Sequence, residues 1–96
     1  MTSSGSVKIK SSGDFNKILP SIDFINEIIL DESCDTSYVF RTLRDNKIVA
    51  LPTIDLNNIK NACHLFENIT ISNATLKLKN TGNITNAILM FKNLKF

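Results

Sequence analysis

Phenylalanines and short aliphatic runs return along this chain on a fixed beat. Phe15, Phe40, Phe66 and Phe91 lie 25, 26 and 25 residues apart, and each is followed three positions on by an aliphatic residue, Ile18, Leu43, Ile69 and Leu94. Between these points the period of the apolar pattern changes. Ile28-Ile29-Leu30, Ile54 with Leu56, and Leu76 with Leu78 are short β-rich runs, and the alternating Val7-Lys8-Ile9-Lys10 reads as one more short strand. Ala62, Leu65, Phe66 and Ile69 instead sit at i, i+3, i+4 and i+7, and Ala87, Met90, Phe91 and Leu94 repeat that spacing, which predicts a short helix in each place. Asn57-Asn58 and Asn80-Thr81-Gly82-Asn83 separate strand from helix as turn formers able to cap the helix that follows.

The beat is a repeat of sequence as well as of hydropathy. Moving 25 residues on from the stretch ending at Phe66 puts Asn58 on Asn83, Ile59 on Ile84, Asn61 on Asn86, Ala62 on Ala87, Leu65 on Met90 and Phe66 on Phe91. An earlier, degenerate copy ends at Val39-Phe40 and carries Glu32 and Asp35 at the two Asn positions. Self-similarity at such a period is the mark of stacked units that cannot bury their apolar faces alone. The predicted fold class is therefore α/β, a small right-handed solenoid of about four coils with one short parallel strand and one short helix per coil. It is expected over residues 14–96, behind a Ser/Gly-rich segment at 1–13 that holds a short strand. The first coil serves as a cap, and the repeat core is expected to contain Phe15, Phe40, Ile59, Leu65, Phe66, Ile84, Met90 and Phe91.

Those residues resemble the Treponema-type, BspA-like leucine-rich repeat, whose pattern runs Leu-Asp-x-x-Asn-Val-x-Asn-Met-x-x-Met-Phe. The likeness covers two coils well, from Ile54-Asp55 to Leu65-Phe66 and from Asn83 to Met90-Phe91, and a third loosely. The chain departs from the pattern in having Ala62 and Ala87 where the family has Met, and a period of 25 to 26 residues rather than about 23. The resemblance implies binding or attachment without catalysis, as in bacterial surface adhesins and some phage-encoded proteins.

Composition narrows the alternatives. Ninety-six residues suffice for one small domain, and 43% hydrophobic against 21% charged residues excludes a disordered chain. The formal net charge of +2 gives no strongly basic surface for nucleic acid. It is unevenly spread: residues 1–48 hold six Lys/Arg and seven Asp/Glu, residues 49–96 five and two, hence −1 and +3. No apolar run reaches the length of a signal peptide or of a membrane span of about 20 residues. A cytoplasmic or virion location is expected, with the cell surface as the alternative.

Candidate chemistry is sparse. Cys34 and Cys63 read as free buried thiols, and two cysteines with one histidine do not make a four-ligand zinc site. Cys63 beside His64 would diverge by about 100° on a helix, so the pair is not a nucleophile and its base. Gly5, Gly13 and Gly82 form no phosphate loop, and Gly82 reads as a turn residue. The glycosylation-like triplets at Asn68, Asn73 and Asn83 read as by-products of an Asn-rich composition. No catalytic residue, metal or cofactor is expected.

A repeat array closes its ends with polar caps, whereas this pattern runs on an apolar beat through Phe91-Lys92-Asn93-Leu94-Lys95-Phe96. Leu76, Leu78, Ile88, Leu94 and Phe96 are thus the expected partner-binding residues, on an open C-terminal end that docks on a second copy or a larger assembly. The functional expectation is a non-enzymatic structural or protein-binding module in a complex or oligomer, with no nucleic-acid or membrane partner. A phage virion accessory, decorating a capsid or tail, comes first. A bacterial surface adhesion module and a small cytoplasmic protein-binding regulator are the alternatives.

Overall fold

The computed structural model describes residues 4–44, 51–71 and 76–95. Its four strands are β1 (Ser4–Ile9), β2 (Ile25–Leu30), β3 (Thr53–Asp55) and β4 (Leu78–Lys79), and they form one parallel sheet in the order β1-β2-β3-β4. The three aliphatic runs that predicted strands all fall on or beside these elements. Register is shared across the sheet, with Val7 against Ile28, Ile28 against Ile54, and Ile54 against Leu78. Strand side chains alternate between faces, so this row lies inward: Ile28 and Ile54 are fully buried. The neighbouring row, Lys8, Ile29, Asp55 and Lys79, belongs to the opposite face.

The one α-helix among the described residues, α1 (Ser12–Ile18), follows β1. Ser11 caps it by accepting from the Asp14 N–H at 3.2 Å, and Asp14 accepts in return from the Lys10 N–H at 3.1 Å. The helix buries Phe15, and a 3-10 turn over Leu19–Phe24, entered through Pro20, leads into β2.

The phenylalanines stand one upon another. Phe15 meets Phe40 edge-on at 4.9 Å between ring centres and 84° between planes, Phe40 stacks on Phe66 at 5.6 Å and 8°, and Phe66 on Phe91 at 5.9 Å and 12°. The first contact differs because Phe15 comes from a helix, whereas the other three rings come from turns.

Those turns replace the helices expected over 62–69 and 87–94. Numbered by their phenylalanines, residues 35–44, 61–71 and 86–95 are the second, third and fourth arcs, and the last two run parallel to each other, tied by bridges at Asn61–Asn86 and Thr70–Lys95. His64, Asn68, Leu89 and Asn93 have left-handed φ values of 62°, 62°, 54° and 57°, which interrupt any α-helical run. The N–H groups that a helix would satisfy within itself are satisfied between arcs: Ala62, His64, Phe66, Asn68 and Ile71 donate to the carbonyls of Asn86, Ile88, Met90, Lys92 and Lys95 at 2.7 to 3.1 Å. The helical spacing did identify the buried side in the third arc, since Ala62, Leu65, Phe66 and Ile69 are all buried. It arose from a turn every four residues.

The recurring Asn, with Asp35 at its place in the earlier copy, closes a turn. Asn61 Oδ1 accepts from the Cys63 N–H at 3.0 Å, Asn86 Oδ1 from Ile88 at 3.2 Å, and Asp35 Oδ1 from Ser37 at 3.1 Å, the same two-residue turn three times. Asn57 and Asn80 cap no α-helix. The Asn57 N–H donates to Asp55 Oδ1 at 2.9 Å, and Asn80 itself sits left-handed at φ 59° before a 3-10 turn over Thr81–Asn83.

Candidate functional site: the outer edge of the fourth arc

Burial along the phenylalanine column is lopsided. Phe15, Phe40 and Phe66 are buried, while Phe91 is 51% exposed: one ring face lies on Phe66 and the rest of the ring is uncovered. Phe91 was expected in the repeat core, and here it is the core's exposed end. Of the other core candidates, Ile59, Leu65 and Met90 are buried and Ile84 is half-buried.

Beside Phe91, Ile88 is 61% and Leu89 43% exposed. Leu76, Leu78 and Leu94, named as partner-binding from the sequence, are half-buried against the core, and Phe96 lies outside the described residues. Leu89 was not anticipated. Its only signal in the sequence was its place opposite His64 in the repeat.

The backbone adds a second property. The N–H donors of the third arc, Ala62, His64, Phe66 and Asn68, correspond 25 positions on to Ala87, Leu89, Phe91 and Asn93. These four N–H groups have no partner among the described residues. Alternate residues of the arc are bonded locally, Met90 to Ala87, Lys92 to Leu89 and Leu94 to Phe91.

Charge follows the same asymmetry. Glu67 is the last acidic residue of the sequence, and Lys77, Lys79, Lys92 and Lys95 follow it. Lys79 is ion-paired with Glu27 across the sheet face, and its hydrogen bond to that carboxylate holds its ammonium above the usual lysine range. Lys77, Lys92 and Lys95 form no ion pair among the described residues. The edge is therefore apolar and basic, with N–H donors that have no partner among the described residues.

Elsewhere the polar groups are occupied with one another. His64 Nδ1 lies 3.0 Å from Glu67 Oε1, and Arg44 donates from Nε to the Glu67 carbonyl at 3.0 Å, clamping the second arc to the third. His64 is not on a helix, so the angular argument against a Cys63–His64 pair gives way to a simpler one: its ring partner is Glu67. Cys34 and Cys63 are free and half-buried, not buried as expected. Burial, with Asp35, Asp31 and Asp14 adding, pushes the Cys34 thiol up to about 12, so it stays neutral and a poor nucleophile. Asp31 is held near 2 by hydrogen bonds from the Ser33 hydroxyl and N–H and by Lys8.

A groove of about 490 Å³ between the second and third arcs is lined by Glu32, Cys34, Asp35, Lys60 and Cys63 among others. No three His, Cys, Asp or Glu residues among those described are placed to hold a metal ion. No helix is long and apolar enough to cross a membrane, over the described residues. No family model, curated protein or solved structure matches the chain.

Proposed function

We propose that this chain is a short leucine-rich-repeat-like solenoid of about four coils, related to the Treponema-type repeats it resembles, and that it works without catalysis as a docking piece of a larger protein assembly. The observation that carries the reading is the phenylalanine column that is covered at Phe15 and open at Phe91. Stacked units are stabilised by neighbours on both sides, and a unit with one bare face gains stability from anything that covers it. Ile88, Leu89 and Phe91 together form an exposed apolar cluster of the kind that marks interaction sites. The solenoid itself is supported by consecutive strands that are parallel neighbours and by the same Asx turn recurring at Asp35, Asn61 and Asn86.

For the assembly we put a phage-like capsid or tail first. A bacterial surface adhesion module or a small cytoplasmic regulator would use the same edge on a different partner. Phe91→Asp tests the docking reading. It leaves Phe15, Phe40 and Phe66 stacked, so the circular dichroism of the variant should match wild type. The expected outcome is that the wild-type protein co-fractionates with particles from its native source and the variant does not. Wild-type protein found only as a free monomer, or a variant that co-fractionates as well as wild type, would show the reading to be wrong.

A further inference from the structure

The backbone hydrogen bonds between the third and fourth arcs have a direction. Five backbone N–H groups of the third arc donate to carbonyls of the fourth; three backbone bonds return, from Thr85 and Asn86 to the Lys60 carbonyl and from Lys95 to that of Ile69, and the Thr85 hydroxyl and the Asn93 side-chain amide return two more, to the Lys60 carbonyl and Asn68 Oδ1. The side-chain bonds between the second and third arcs run forward as well: Thr36 Oγ1 donates to the Asn61 and Cys63 carbonyls at 3.3 and 3.0 Å, and Arg44 Nε to that of Glu67. Left-handed φ values recur at His64 and Leu89 and again at Asn68 and Asn93. The N–H groups of Ala87, Leu89, Phe91 and Asn93 are thus the repeat equivalents of those that donate to the fourth arc, and they have no partner among the described residues. Successive N–H groups converging on one surface carry a fixed partial positive charge and take acceptors.

We propose that the occupant of this edge is an acidic polypeptide segment laid along the fourth arc. Its oxygens accept from the N–H groups of Ala87, Leu89, Phe91 and Asn93, and its carboxylates face Lys92 and Lys95. The proposal rests on the docking reading above and names the chemistry of the partner. Donors without acceptors among the described residues call for a chain that brings acceptors, and the exposed Lys92 and Lys95, in no ion pair among those residues, call for negative charge. The exposed side chains of Ile88, Leu89 and Phe91 along the same row require apolar side chains in the same segment, which a polypeptide supplies and a nucleic-acid backbone does not. A second copy fits poorly. Two such edges face to face set lysine on lysine, and beside β1 the Asp31 and Asp14 carboxylates are already engaged, by the Lys8 ammonium and the Lys10 N–H.

The test is an NMR titration of the whole chain, labelled with nitrogen-15, with a synthetic peptide that repeats aspartate, leucine and glycine. The amide signals of Ala87, Leu89, Phe91 and Asn93 should shift, and their hydrogen exchange should slow by about tenfold or more as bonds form. Lys92→Glu combined with Lys95→Glu should weaken binding by about tenfold, and raising the salt should weaken it in wild type. A peptide with lysine in place of aspartate should leave the spectrum unchanged. The inference is overturned if the lysine peptide binds equally or nothing binds, or if the shifts gather at the groove by Cys34 and Lys60. It is also overturned if oligothymidine binds this edge more tightly than the peptide, or if the four amides become protected by self-association without peptide. Co-fractionation of the wild-type protein with particles, lost in Phe91→Asp, would in each case leave the docking reading standing and only the partner's chemistry wrong.

Discussion

Phe66 and Phe91 occupy the same place in the repeat and differ in what covers them. Phe66 lies between Phe40 and Phe91 and is fully buried, so truncation removes contacts on both ring faces. Phe66→Ala should cost about 3 to 5 kcal/mol, a large share of the roughly 5 to 14 kcal/mol expected for a domain of this length. Phe91 is half-exposed and has one stacked neighbour, so Phe91→Ala should cost about 1 to 2 kcal/mol. Urea unfolding of the two variants beside wild type measures both. Equal losses would mean that Phe91 is covered in solution and that the edge is closed. Gly82 lies in a turn, as expected, within the 3-10 turn over Thr81–Asn83; it takes no positive φ, and the left-handed position before that turn falls on Asn80, whose type tolerates it.

Among the elements, the strands were legible and the arcs were misread, for a physical reason. Ile28-Ile29-Leu30 and Ile54 carry β-branched residues in short runs, and they fall on strands. Ala62, Leu65, Phe66 and Ile69 carry a spacing of three and four residues, which a helix and a succession of four-residue turns present alike. Asn68, Asn93 and His64 hint at the turns, because Asn and His accept a left-handed φ more readily than most residues, but Leu89 holds the same conformation with no such hint. The apolar half of the candidate site could be read from side chains. Its donor row could not, since it belongs to backbone groups whose direction no residue type encodes. What did survive in the sequence is the Asx turn, visible as Asp35, Asn61 and Asn86 at one repeat position. Asn61→Ala should cost about 1 kcal/mol, the worth of the lost acceptor for the Cys63 N–H. Asn61→Asp keeps an acceptor, as Asp35 does, and should retain most of that stability. Chemical denaturation of the pair decides it, and an Asp variant no better than Ala would mean that the amide nitrogen, not the turn, is what the position needs.

For the molecule as a whole, order should decline from the covered end of the column to the open one. Ile28 pairs with strands on both sides in the middle of the sheet, whereas Ala62, His64, Phe66 and Asn68 donate only to an arc that no other described residue covers on its far side. An arc stacked on one side only has less to lose on opening than an element held on both. Amide hydrogen exchange reads this directly, since local opening exposes some donors while others wait for global unfolding. In the free protein the four donors of the third arc should exchange together, with an opening free energy about 2 to 3 kcal/mol below that of the Ile28 amide. Phe91→Ala should widen the gap by loosening the fourth arc without speeding exchange at Ile28. Docking at the outer edge should close the gap, because the fourth arc then has neighbours on both faces and can leave only when its partner does. If all these amides instead exchange at one common rate in the free protein, the fourth arc is already locked to the core. A partner would then gain no stabilising role by covering it.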